Sequence, residues 1–223
     1  MYLPLFVKRW LSYFKEVPVE YVRSEWHPVL VVKLSQGKFI LDGERVNYAF
    51  EGLDAFFRLA FQKTGIPHEN TKTALILGFG VGNVATILKE KDPSISITGV
   101  DADPVMKDLA EKYFGLKKLG GTEVITDDVV HYIRSTNLTF DLIVVDVFLE
   151  EKIPEPLQQR GVLRKLEKLL NAGGVLFFNT LGDTPELRDE SGKIFETAYL
   201  VWKGSEQVQV INNQPIIYKK SGR

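Results

Sequence analysis

Residues 73–88 read Thr73-Ala-Leu-Ile-Leu-Gly-Phe-Gly-Val-Gly-Asn-Val-Ala-Thr-Ile-Leu88, with no charged side chain in the run. Four apolar residues lead into three glycines spaced two apart, and an apolar helical pattern follows. Such a join predicts a buried strand that turns at its glycines into a helix. Glycine there permits positive φ and close approach of a ligand, while the helix N-terminus presents unpaired N–H groups. The pattern points to an adenosine-containing cofactor, against the alternative of a glycine-rich turn with no ligand. Gly80-Val-Gly82-Asn-Val-Ala85 fits the dinucleotide fingerprint G-x-G-x-x-A. Gly78-Phe-Gly80-Val-Gly82 fits the G-x-G-x-G loop of S-adenosylmethionine enzymes. The loop alone leaves both open.

Working outward, strands are expected at Ala74–Leu77, Ile95–Val100, Glu123–Thr126, Phe140–Val145 and Val175–Asn179. Helical segments fall around 82–91, 104–114, 128–135 and 157–171. Alternating strands and helices imply parallel βαβ units. The expected fold is α/β: a doubly wound, mostly parallel, Rossmann-like sheet of seven strands, helices on both faces. Residues 71–223 form this domain. Ligands in such sheets bind at the carboxyl ends of the strands, which selects the residues to inspect.

Residues 1–70 read as a leader. Apolar residues at 6, 10, 11 and 14 suggest an N-terminal helix for packing or dimer contact. Val29–Leu34 and Lys38–Leu41 suggest a small β-hairpin around Gln36-Gly37, and "LDAFFRLAFQ" has helical spacing. The tail "QVQVINNQPIIYKK" suggests two antiparallel strands around Asn212-Asn213 at the sheet edge.

Composition bounds the function. The 223 residues carry 28 Lys+Arg against 29 Asp+Glu, a net charge of -1, which argues against nucleic-acid binding. With no cysteine, disulfides, thiolate zinc sites and a cysteine nucleophile are excluded. The opening "MYLPLFVKRW" has the wrong charge order for a signal peptide, and no stretch supplies a lipid-compatible span. A cytoplasmic protein without membrane attachment is expected.

Asp101 ends the second strand of the alternating region, where a carboxylate can accept hydrogen bonds from ribose hydroxyls under either cofactor reading. Asp103, ahead of Pro104, suits a helix N-cap. The later strands separate the readings. "VITDDVVHYIR", "FDLIVVDVF" and "LEKLLNAGGVLFFN", in this order, resemble the class I S-adenosylmethionine-dependent transferases. More narrowly they resemble spermidine synthases and the spermidine-synthase-like proteins around them. "LDG" at 41–43, "LILGFGVGN", "VDADP", "DVVHYI" and "DLIVVDVFLEEKIPEPL" carry that resemblance. It implies S-adenosylmethionine, or its decarboxylated form, held by Gly78, Phe79, Gly80, Gly82, Asp101, Ala102, Asp128 and Val129. The adenine amino group falls to Asp128 rather than Asp127, with Val129 N–H beside it.

The departures bear on chemistry. Spermidine synthases hold their diamine between several carboxylates. The acid of their glycine loop is Val81 here, and their "D-S-S-D" becomes "DVFL", keeping Asp146 but placing Leu149 at the second acid; Glu150 lies one residue on. Their Tyr-His-Glu segment and Tyr-Pro-Ser-Gly stretch have no match. The expectation is therefore an S-adenosylmethionine-dependent methyltransferase acting on a small-molecule acceptor, with Asp146 taking its proton or capping a loop. A polyamine aminopropyltransferase and a non-catalytic nucleotide-binding protein are the alternatives. Asp141, at the other end of the same strand, receives no chemistry. His27, His68 and His131 lack metal-ligand spacing. Trp26, Tyr48 and Phe50 suit core packing or an acceptor pocket. A homodimer is expected by resemblance.

Overall fold

The structure, a computed structural model, describes residues 3–43, 47–49, 51–149 and 151–222, with the backbone alone at 47–49 and 51. Phe50 and Glu150 lie outside the described residues, as does the side chain of Tyr48.

The chain opens with helix α1 (Leu5–Leu11). A four-stranded antiparallel sheet follows, in the order β1 (Val17–Val22), β2 (Leu30–Ser35), β3 (Lys38–Gly43) and β4 (Asn47–Ala49). The expected hairpin is thus the centre of a larger sheet. β2 shows the alternation that makes a strand legible, with Leu30, Val32 and Leu34 fully buried. β1, with Pro18 and Glu20 in it, has a register shift between those residues and no such clean pattern. The α1 face does not pack inward: Phe6 is 75% exposed, Trp10 64% and Phe14, just beyond the helix, 76%.

Helix α2 (Glu51–Thr64) leads to the second sheet. Its first four strands are β5 (Thr73–Leu77), β6 (Ser96–Asp101), β7 (Thr122–Thr126) and β8 (Phe140–Val145). β9 (Leu170–Phe178), β10 (Glu206–Gln207) and β11 (Ile216–Lys219) complete it. The spatial order is β10-β11-β9-β8-β5-β6-β7. β5 pairs in parallel with both β6 and β8, and β11 runs antiparallel to β9 and β10. The seven-stranded, mostly parallel sheet is therefore present.

Period-two alternation explains why helices cover both faces. Ala74, Ile76, Ile97, Val144 and Phe177 join one apolar cluster with α2, helix α3 (Asn83–Lys91) and helix α4 (Pro104–Tyr113). Leu75, Leu77, Val100, Val145 and Phe178 join the other, with helices α5 (Val129–Ser135), α6 (Glu155–Gln158), α7 (Arg160–Leu169) and α8 (Pro185–Val201). Leu30, Val32 and Leu41 of the leader belong to the first cluster, so leader and main sheet share one core.

Four features differ from the sequence reading. The helix expected over 157–171 is two, broken at Gln159, whose backbone is extended. The Gly173-Gly174 turn sits inside β9 as an irregularity opposite β8, with Gly173 at φ +77°. α8 was not foreseen: its acids and bases surround few buried positions, among them Ile194 and Ala198, which weakens the 3.6-residue signal. The expected tail hairpin reduces to short β10, β11 and an isolated bridge between Val210 and Asn213.

Candidate functional site

The sheet reverses its winding between β5 and β8, and a ligand crevice belongs at that point, outside the carboxyl ends of the strands. Gly78–Gly82 follow β5, Asp101 ends β6 with Ala102 and Asp103 after it, Asp127–Val129 follow β7, and Asp146 follows β8. The candidate residues therefore gather along one rim of four neighbouring strands.

Glycine at 78 is a steric requirement. Its φ is +81°, and a Cβ there would stand 2.2 Å from the Asp146 carbonyl oxygen. Gly78 and Phe79 N–H groups donate to Val100 O at 2.9 and 3.1 Å, curling the loop over β6. At Gly80, whose φ is +54°, a Cβ would meet nothing within 4 Å, so the backbone faces open space there. Phe79 does not offer its ring to that space. The ring is buried across Gly99, whose added Cβ would lie 2.1 Å from it, so any ligand contact of Phe79 is through its backbone. The first turn of α3 carries N–H groups that no carbonyl of the helix can reach.

Asp101 is wired into this loop. Its Oδ2 accepts Gly80 N–H at 2.7 Å and its Oδ1 accepts Asp103 N–H at 3.0 Å. Burial raises the Asp101 carboxyl above its ordinary value, against the two backbone donors that lower it; nearby Asp103 raises it further and His27 lowers it. Each oxygen retains a lone pair for a further donor. Ala102 forms the bend between the two acids. Asp103 is the expected N-cap, accepting Val105 N–H at 2.9 Å.

Asp128 caps α5, its Oδ1 accepting His131 N–H at 2.7 Å. Val129 buries its side chain under the sheet while its N–H opens the first turn of α5. Asp127 pairs instead with His131, whose Nδ1 lies 2.9 Å from its carboxylate on the surface. Asp128 and Val129 are thus brought to the rim.

Asp146 is part-buried, and burial pushes its carboxyl up to about 6; the Asn179 amide, donating to Oδ1 at 2.8 Å, acts the other way. Asn213 Nδ2 in turn donates to Asn179 Oδ1 at 3.0 Å. These asparagines were missed as site residues, although Asn179 ends the strand next to that of Asp146. Val147 and Phe148 continue from Asp146 and pack on the apolar cluster, and Leu149 is exposed. Trp26 is exposed rather than a core residue. Asp141 has the structural role its position suggested: Oδ2 accepts the N–H groups of Lys72 and Thr73, both at 2.9 Å, and Oδ1 accepts Asn171 Nδ2 at 2.7 Å.

Among the described residues no helix is long and apolar enough to cross a membrane.

A seven-stranded, doubly wound sheet with this rim defines a Rossmann-like fold of the methyltransferase type. Within it, the chain belongs to the spermine/spermidine synthase domain family, which matches residues 62–198, more than half of the 223. A polyamine aminopropyltransferase of Vibrio vulnificus is 35% identical over 128 residues, covering 56% of this chain and 42% of that protein. An eEF1A lysine and N-terminal methyltransferase homolog of Drosophila melanogaster is 26% identical over 129 residues, covering 54% of this chain and 19% of that protein. The chain therefore spans less than half the length of these relatives. A probable spermidine synthase from Corynebacterium glutamicum superposes with a TM-score of 0.74 at 16% identity, over 92% of this chain and 80% of that one, a likeness of fold.

Proposed function

We propose that this protein is a transferase using an S-adenosylmethionine-type sulfonium, and that the group it moves is methyl. The residues on the rim suit that ligand. Asp101 can accept from ribose hydroxyls, Asp128 and Val129 N–H can meet an adenine edge, and the open backbone at Gly80 admits close approach. When bound, such a sulfonium supplies a methyl group activated toward a nucleophile.

One observation carries the choice of methyl. Val81, in the glycine loop, is buried and neutral, so no carboxylate there opposes an anion, and the α3 N-terminus beside it favours one. That electrostatic setting suits the α-carboxylate of S-adenosylmethionine better than the decarboxylated form. The acceptor side agrees with it. From Asp146 the loop runs through Val147, Phe148 and Leu149, which supplies one carboxylate where a diamine calls for several. In this reading Asp146 receives the proton of an amine or hydroxyl acceptor.

The second reading is aminopropyl transfer. The matched family and the Vibrio relative favour it. The two are told apart by product. Methyl transfer releases S-adenosylhomocysteine from S-adenosylmethionine, and aminopropyl transfer releases methylthioadenosine from the decarboxylated form. The purified protein is to be given each donor with panels of small amines and hydroxyl compounds. S-adenosylhomocysteine formation that Asp146→Asn abolishes is the expected result. Methylthioadenosine formed only with a polyamine would replace the first reading by the second. Donor binding without either product would leave a nucleotide-binding protein.

A further inference from the structure

The leader reaches the cofactor rim through one side-chain cluster. Ser24 and His27 lie on the turn between β1 and β2, and Asp103 lies just beyond β6. Ser24 Oγ donates to Asp103 Oδ2 at 2.5 Å, and His27 Nδ1 lies 2.9 Å from the same oxygen. His27 N–H closes the turn on Ser24 Oγ at 2.9 Å. The other oxygen of Asp103 accepts Val105 N–H, so both oxygens of a carboxylate only 2% exposed are fixed. The backbone N–H of the same residue donates to Asp101 Oδ1, and Asp101 Oδ2 receives Gly80 N–H. A continuous chain of hydrogen bonds thus runs from the leader turn through Asp103 and Asp101 to the glycine loop.

The cap of α4 needs only Val105 N–H on Asp103. Neither Ser24 nor His27 is required for it, yet both converge from 79 and 76 residues away on the second oxygen. Two carboxylates also stand close here, and the Asp103 charge disfavours ionisation of Asp101. A donor on Asp103 answers that, because it draws the Asp103 charge away from Asp101.

We infer that His27 is a positioning residue, which sets the orientation of the Asp101 carboxylate by holding Asp103 from the leader side. This rests on the reading of Asp101 as the ribose carboxylate. With its proton on Nδ1, His27 donates to Asp103, and an asparagine amide nitrogen at position 27 would reach nearly the same place. The leader turn then acts on the cofactor site through Asp103 and Asp101.

The test uses two readouts on the full chain. In the free protein, carboxyl-carbon NMR follows the titration of Asp101 in wild type and His27→Ala; the proposal expects it to move up in the variant. By calorimetry, His27→Ala is expected to weaken S-adenosylmethionine binding about tenfold, the scale of one hydrogen bond to a charged group. His27→Asn should restore it. In an Asp101→Asn background the His27→Ala loss should nearly vanish, because the effect passes through Asp101. An unmoved Asp101 titration, no loss in the single variant, or the same loss in both backgrounds would overturn the proposal. If the wild-type protein itself binds no S-adenosylmethionine, the binding arm is silent, and an Asp101 titration that moves up in His27→Ala upholds the link from His27 to Asp101 and refutes the cofactor reading alone.

Discussion

Asn179 Nδ2 donates to Asp146 Oδ1 at 2.8 Å, joining the carboxyl ends of β9 and β8 beside the glycine loop. The partnership is reinforced from behind, where Asn213 orients the Asn179 amide. A carboxylate in this setting is pulled two ways, and burial wins: its midpoint of about 6 leaves it ionised at neutral pH but readily able to take a proton.

That midpoint has a consequence for stability. The folded state holds the Asp146 proton more tightly than the unfolded chain, whose ordinary value is 3.8. Below that value the contribution is fully present; it is lost as pH rises to about 6, and stays lost above. That difference in proton affinity corresponds to at most about 3 kcal/mol. Asp146→Asn removes the dependence while keeping an acceptor for Asn179. The unfolding free energy of wild type minus that of Asp146→Asn should therefore fall between pH 4 and pH 6 in denaturant titrations. A difference that rises over this range contradicts the account.

Removing the donor should push Asp146 further. Asn179 is nearly fully buried, so Asn179→Leu keeps the site dry while deleting the bond that favours the ionised form. The Asp146 carboxyl-carbon midpoint should move above its wild-type position in an NMR titration. A downward move would mean that burial does not govern this carboxylate.

The opposite end of β8 predicts the reverse sign. Burial alone would raise the Asp141 carboxyl, but the Asn171 amide, the Lys72 and Thr73 N–H groups and the Thr73 hydroxyl outweigh it and hold it below its ordinary value. Its contribution is present above the unfolded value and is lost as pH falls. Asp141→Asn should destabilise the protein at pH 7 by about 1–3 kcal/mol. The gap should narrow below pH 4, as thermal unfolding across pH would show.

Two glycines two residues apart should respond differently to alanine. At Gly78 the new Cβ meets the Asp146 carbonyl at 2.2 Å in left-handed backbone, so strand β8 must move. At Gly80 the space is open and only the conformational cost remains, about 1 kcal/mol. Gly78→Ala should cost at least about 2 kcal/mol more than Gly80→Ala in chemical unfolding, if it folds at all. Equal costs would mean the loop does not close on β8 as described.

Much of this was legible in the sequence for a physical reason. The central strands β5 and β8 are buried on both faces and read as apolar runs, and glycine or aspartate follows each at its carboxyl end. The N-cap at Asp103 followed from Pro104 alone. What escaped was whatever depends on distant partners. β1 sits in an antiparallel sheet with a register shift, α8 buries few of its positions, and the convergence of Ser24 and His27 on Asp103 spans 79 and 76 residues. Phe79 is a cofactor contact by resemblance, but the sequence does not show that its ring fills the space above Gly99 and leaves only its backbone to a ligand.

The most direct test of the central claim is a calorimetric titration with S-adenosylmethionine and, separately, with its decarboxylated form, on wild type and Asp101→Asn. The account predicts tighter binding of the carboxylated form, because Val81 leaves the loop without an acid beside the α3 N-terminus, and a loss of about tenfold or more in the variant. Tighter binding of the decarboxylated form, or binding of S-adenosylmethionine that Asp101→Asn leaves unchanged, would contradict it.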